Sequence, residues 1–265
     1  LTNNAPIGVF DSGIGGLTVL RALMGELPGE SFVYFGDTAR VPYGNKSAET
    51  VQKFSRENVS FLMGEGVKIV VVACNTASAA AVPVLRDEFP VPIVGVIEPG
   101  ARAAVRKSKS HRIGVIGTAA TIRSEAYQSA IRVLQPRSSV VARACPLFVP
   151  LVEEGWTETP VAEMVAESYL KDYRNDGVDV LVLGCTHYPL LRGVIGRVLG
   201  PNVELVDSAV ETAREVRERL EAEGLVSSYK KGELSICLSD ITPNFSDVGA
   251  RILGRSIPGV RLLPV

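Results

Sequence analysis

The chain has little that would tie it to a charged partner, an oxidising compartment or a bilayer. Its 28 basic and 29 acidic residues leave a formal charge of -1, so no general nucleic-acid or anionic-lipid surface is expected. It carries four cysteines in 265 residues, at positions 74, 145, 185 and 237. That wide spacing is not a disulfide framework and suits a reducing cytoplasm. The close Cys/His pairs of zinc motifs are missing as well, so no metal is expected. No basic stretch followed by an apolar run opens the chain, so no secretory signal is read there. The longest apolar stretch, from Ile69 to Leu85, is interrupted by Asn75, Thr76, Ser78 and Pro83. It reads as strand, turn and helix start, not as a membrane span. Only two histidines occur, so either one in a motif carries weight.

What remains is the composition of an ordinary α/β protein, 46% hydrophobic and 22% charged, with 25 Gly and 16 Pro. Short β-branched runs alternate with amphipathic segments. Strands are expected at Ile7–Phe10, Phe32–Phe35, Ile69–Ala73, Ile93–Ile97, Ile113–Ile116, Val140–Ala142, Val180–Leu183 and Val203–Val206. A helix is expected over Val51–Met63 with Ser47 as its cap. Another should open with Ser208 and Glu211 in capping-box spacing, carry a stripe of Ala213, Val216 and Leu220, and stop before Gly224. Such alternation implies parallel sheets built from βαβ units. The tail from Leu234 to Val265 adds a strand–helix–strand pattern.

The chain repeats itself. Gly66-Val67-Lys68-Ile69-Val70-Val71-Val72-Ala73-Cys74 matches Gly177-Val178-Asp179-Val180-Leu181-Val182-Leu183-Gly184-Cys185. Upstream, Gly8-Val9-Phe10-Asp11-Ser12 resembles Gly114-Val115-Ile116-Gly117-Thr118. Two half-chains of four strands each, starting near residues 7 and 113, follow from this, with a tight crossover near Glu98–Pro99. Ligands in open α/β sheets bind at the carboxyl ends of strands. A thiol at that point of each half, before a helix start that favours thiolate, suggests one site with a sulfur on either side. Cys145 and Cys237 lack such a setting and read as small buried hydrophobes.

His187, two residues after Cys185, is a candidate acid/base partner for that thiol; His111 lies in a charged stretch and reads as solvated. Asp11-Ser12-Gly13-Ile14-Gly15-Gly16 could be a dinucleotide loop with Asp37 downstream for the ribose, which would make the chain a nicotinamide-dependent oxidoreductase. Thr18 stands where that fingerprint needs its third glycine, and Asp11 would face phosphate. Asp11 is better read as a substrate or thiol-polarising carboxylate, and the glycines as sites of close backbone approach. Glu153-Glu154 alone reads as a surface acidic pair. A non-catalytic two-lobe binding protein is a third reading, which the paired thiols disfavour.

These motifs together resemble the glutamate branch of the cofactor-independent aspartate/glutamate racemase superfamily. The matching segments are Gly8–Leu17, Tyr34–Thr38, Val41–Gly44, Ala73–Ser78, Gly117–Thr121, Cys145–Pro150, Glu153–Gly155 and Leu183–Leu190. The resemblance implies two similar three-layer α/β/α lobes related by a pseudo-two-fold axis, with the active site between them. The lobes would comprise residues 1–98 with 208–265, and 99–207. It implies that Cys74 and Cys185 are the two bases of a proton transfer at the α-carbon of glutamate, without cofactor or metal. Asp11 would assist Cys74, and Glu153 and His187 would assist Cys185. Asp11, Ser12, Pro42, Tyr43, Gly44, Asn75, Thr76, Thr118, Thr121, Thr186 and His187 would hold the substrate. His187 favours glutamate over aspartate or a related amino acid, because aspartate racemases tend to carry an acid there. A cytoplasmic bacterial homodimer supplying D-glutamate for peptidoglycan is implied, with no nucleic-acid or membrane partner.

Overall fold

The computed structural model describes residues 2–174, 176–241, 245–257 and 259–263. Its strands are β1 (Ile7–Asp11), β2 (Phe32–Gly36), β3 (Ile69–Val72), β4 (Ile93–Gly95), β5 (Arg112–Gly117), β6 (Ser139–Ala144), β7 (Val180–Gly184), β8 (Glu204–Val206), β9 (Leu234–Leu238) and β10 (Val260–Leu262). Its helices begin with α1 (Leu17–Glu26), α2 (Ala48–Gly64), α3 (Asn75–Glu88), α4 (Ile97–Lys107), α5 (Ala119–Arg123) and α6 (Ala126–Leu134). Then come α7 (Phe148–Glu153), α8 (Pro160–Leu170), α9 (Arg192–Leu199), α10 (Ser208–Ala222) and α11 (Phe245–Leu253).

The strands form two sheets, ordered β10-β9-β2-β1-β3-β4 and β6-β5-β7-β8. The second repeats the β2-β1-β3-β4 order of the first, so the duplication is one of topology as well as of sequence. Gly8 pairs with Val33 and Val70, and Gly114 pairs with Val141 and Leu181, all in parallel ladders. The tail extends the first sheet, β9 lying parallel beside β2.

Alternate residues of each strand feed the two faces of its sheet. In the first lobe Ile7, Val9, Tyr34 and Val71 pack with the apolar stripes of α1, α10 and α11. Phe10, Phe35, Val70 and Val72 pack on the other face with α2 and α3. In the second lobe Ile113, Val115 and Val182 meet α4 and α6, while Ile116, Leu181 and Leu183 meet α7, α8 and α9. Helices on both faces explain why β3 and β7 are apolar throughout, why β1 is apolar up to its closing Asp11, and why all three are buried along their length. Each such buried Val, Leu or Ile contributes about 1.5–3 kcal/mol of transfer free energy.

Ser47 caps α2 as expected, its Oγ accepting from Thr50 N–H at 3.3 Å. Two expectations shift. The strand read through Ile97 ends at Gly95, and the supposed tight crossover at Glu98–Pro99 is the first turn of α4. Pro99 is tolerated there because the first N–H groups of a helix have no intrahelical partner. The cap of α10 is Asp207, one residue before the expected Ser208, with its carboxylate 2.9 Å from Ala209 N–H.

Candidate active site

The chain order reverses between β1 and β3 in the first sheet and between β5 and β7 in the second, which opens a crevice at their carboxyl ends. Asp11 ends β1, and Cys74 lies two residues past β3; Thr118 follows β5, and Cys185 follows β7. The local fold therefore brings the two copies of the thiol motif to equivalent corners of two lobes. Both cysteines are free and buried, with 6% and 7% exposure.

Cys74 is the N-cap of α3. Its sulfur accepts from Ala77 N–H at 3.5 Å and lies 3.6 Å from Ser12 Oγ. Burial and the neighbouring charges of Asp11 and Cys185 push the Cys74 thiol up to about 12, outweighing the Ala77 and Ser12 hydrogen bonds. The helix start favours thiolate at this position as expected, but burial outweighs it. Asp11 is fully buried; its Oδ2 accepts from Gly13 N–H at 2.9 Å, while Oδ1 has no hydrogen-bond partner among the described residues. Burial raises its carboxyl, opposed by His187 and by the backbone N–H groups of Gly13, Gly16 and Ser12.

The Cys185 side is built differently. A 3₁₀ turn over Tyr188–Leu191 follows it, so no α-helix starts immediately after this thiol. His187 Nδ1 lies 3.8 Å from Cys185 Sγ, and His187 Nε2 lies 3.3 Å from Glu153 Oε1 at the end of α7. The second contact has the reach of an ion pair without hydrogen-bond alignment. Burial pulls the imidazole down, but Cys185, Glu153 and Asp11 outweigh it and hold His187 up to about 10. The sulfur and carboxylate around it thus favour the imidazolium form of His187, and reading Glu153-Glu154 alone as a surface acidic pair misses this contact, which the family resemblance implied.

The lobes meet closely across the crevice. Thr76 Oγ1 lies 2.9 Å from Thr118 Oγ1 and 3.2 Å from Thr121 Oγ1, and the latter two are 3.0 Å apart. A Cβ added to Gly15 would stand 2.7 Å from His187 Cε1 and Nδ1, and one on Gly44 would stand 2.7 Å from Thr118 Cβ. These two glycines are what let the first-lobe loops touch the second lobe. Thr186 packs over Gly15, and its carbonyl lies 3.4 Å from Thr18 Oγ1. Thr18, whose presence breaks the dinucleotide fingerprint, is here a seam residue. Asp11 takes the Gly13 N–H that a pyrophosphate would need.

The loop after β2 is pinned from below. Tyr43 donates to the buried Asp37, which also accepts from Arg40 Nε at 2.8 Å and Ser239 Oγ at 3.1 Å. Asn58 donates to the Tyr43 hydroxyl at 3.1 Å. The Tyr43 phenol is therefore committed to the first lobe's interior, and Pro42 is exposed. What this loop turns toward the second lobe is the backbone at Gly44. Asn75, at the start of α3, is held by Tyr127 of α6, whose hydroxyl is 2.7 Å from Asn75 Oδ1. Asp37, read from the sequence as a possible ribose ligand, instead anchors this loop, while Asn58 and Tyr127 were not expected, since each acts through a partner distant in the chain. Among the described residues no His, Cys, Asp and Glu cluster could hold a metal ion, and no helix is long and apolar enough to cross a membrane.

Two near-equivalent lobes, each presenting a thiol from the end of a central strand, define a class. The chain belongs to the Asp/Glu/Hydantoin racemase family, whose model matches residues 17–216. Among its relatives, the glutamate racemase of Geobacter metallireducens is 55% identical over 96% of this chain and 94% of its own length. The crystal structure of glutamate racemase from Thermus thermophilus in complex with β-chloro-D-alanine superposes with a TM-score of 0.90 at 48% identity, covering 100% of this chain and 99% of that one. That of glutamate racemase from Francisella tularensis in complex with D-glutamate gives 0.93 at 37% identity, covering 98% of each chain.

Proposed function

We propose that this protein interconverts L- and D-glutamate by proton transfer at the α-carbon between two cysteines, and so supplies D-glutamate for peptidoglycan. The observation that carries this is the placement of Cys74 and Cys185 at matching corners of two lobes, buried and unpaired. An α-proton beside a carboxylate is weakly acidic. Its removal needs a base on one face and an acid on the other, with fixed donors for the charge that develops.

The chemistry balances between the two sulfurs. One thiolate takes the α-proton as the C–H bond breaks, and the planar carbanion takes a proton from the opposite thiol. The two sulfurs end with exchanged protonation states. Burial and Asp11 favour the thiol form of Cys74, and the two cysteines exchange the roles of acid and base with the hand of the substrate. His187 is the proton partner of Cys185 and Glu153 holds its charge. Asp11 has a free buried oxygen that can take the substrate's ammonium. Ser12, Asn75, Thr76, Thr118, Thr121 and Thr186 offer hydroxyl and amide donors to the two carboxylates. Pro42, Tyr43 and Gly44 contribute through the backbone of their loop. We take residues 1–98 with 208–265 as the first lobe and 99–207 as the second. The apolar stripe of α4 belongs to the second lobe's core and that of α10 to the first lobe's. The homodimer and the bacterial cytoplasm belong to this reading as well.

The test is a chiral assay of purified protein on L-glutamate and L-aspartate. Inversion of glutamate, lost in Cys74→Ala and in Cys185→Ala by roughly 10³-fold or more, is the expected result. Preference for aspartate, or near-wild-type turnover in either variant, would overturn the reading.

A further inference from the structure

Tyr127 stands on the second lobe but reaches into the first. It is fully buried, and its ring fills a notch made by glycines. A Cβ on Gly100 would lie 3.1 Å from Tyr127 Cε1 and OH, and one on Gly184 would lie 3.1 Å from Tyr127 Cε2. Gly100 belongs to α4, which follows the first crossover between lobes. Ser208 opens α10, which follows the second, and Gly184 precedes Cys185. One ring is therefore wedged where both crossovers and both thiol segments converge.

The polar end of that ring is directional. Burial keeps the phenol protonated, raising it well above its ordinary range. A phenol has a single proton. That proton goes to Asn75 Oδ1, which can only accept, at 2.7 Å. The carbonyl half of the Asn75 amide is thereby turned toward Tyr127, and the NH₂ half turns the other way. Asn75 Nδ2 makes no side-chain hydrogen bond among the described residues. It is left as a pair of free donors at the first turn of α3, beside Cys74.

We propose that Tyr127 is a positioning residue for substrate recognition: it locks the Asn75 amide with its N–H groups toward the cleft, as donors to a substrate carboxylate. The proposal rests on the reading of this site as one that binds glutamate. A freely turning Asn75 would present its carbonyl to that carboxylate part of the time, which costs affinity more than turnover. The alternative is that Tyr127 is simply a core aromatic whose hydroxyl needs a partner. The two differ in whether its effect passes through Asn75.

Tyr127→Phe keeps the ring and removes the hydroxyl. The expected result is a rise in KM for L-glutamate of about 2- to 10-fold, with kcat changed by less than about twofold. In an Asn75→Ala background the same change should move KM by less than about twofold, because its target is gone. An unchanged KM in the single variant, or an equal effect in both backgrounds, overturns the proposal. Should Tyr127→Phe fail to fold, Asn75→Asp decides. It keeps an acceptor for the Tyr127 hydroxyl but replaces the pair of N–H donors with a second oxygen, and should raise KM for L-glutamate by about 10-fold or more. No change in KM there also overturns the proposal. Wild-type protein inert towards glutamate would instead defeat the underlying reading, a result distinct from an active wild type indifferent to Tyr127.

Discussion

Replacing Glu153 by Gln removes the charge facing His187 at almost constant shape. The two side chains are 3.3 Å apart. Unit charges at that separation attract by about 1.3 kcal/mol in bulk water and by about 5 kcal/mol at an effective dielectric of about 20. The Glu153 side chain is 46% exposed, so solvent screening keeps the pair near the lower limit, about 1–2 kcal/mol. At about 1.4 kcal/mol per pH unit, Glu153→Gln should lower the His187 midpoint by roughly one unit from its position near about 10. The assay is imidazole NMR across about pH 6 to pH 11. With only two histidines in the chain, His111→Asn leaves a single signal. His111 has φ 58°, a conformation that Asn accepts.

The same shift has a stability consequence. An unfolded histidine releases its proton near about 6.5, whereas the folded one holds it to about 10. Between those values the unfolded state binds fewer protons, so stability falls as pH rises. The His187 contribution is complete below the lower value and gone above the upper, and in Glu153→Gln its window closes about a unit earlier. A wild-type midpoint near 6.5, or an unmoved midpoint in the variant, would refute the placement of His187 between a sulfur and a carboxylate.

Gly15→Ala should cut kcat by about tenfold or more, because the new methyl would force back the imidazole 2.7 Å away. Unchanged turnover would mean that the seam between lobes yields freely. The two reaction directions should show different pH profiles, since Cys74 is flanked by Asp11 and Ser12 and Cys185 by His187 and Glu153. Initial rates for each enantiomer against pH decide this, and superimposable profiles would count against the asymmetry.

Much of the architecture was legible because strands buried on both faces leave continuous β-branched runs. The same property blurred one boundary. Ile93-Val94-Gly95-Val96-Ile97 reads as one run, yet the chain turns after Gly95 so that Ile97 can face the second lobe's core with Ala101 and Ala104. A stripe made mainly of alanine carries little periodic signal, and Pro99-Gly100 reads as a break when it is a helix start. The thiols were legible as a repeat, but their protonation was not. Cys74 has a helix start that favours the anion, opposed by its own burial and by the buried Asp11, and none of that burial is visible in the sequence. Tyr127 left no trace in the sequence, because its partner Asn75 is far along the chain and on the other lobe.

The most direct test of the two-thiol account is turnover of each glutamate enantiomer in deuterated water, followed by NMR at the α-position. Two bases on opposite faces predict deuterium in the inverted product from the first turnovers, with the remaining substrate still carrying hydrogen. Deuterium entering the substrate pool as fast as the product, or the substrate's own hydrogen retained in the product, would point to a single base and contradict it.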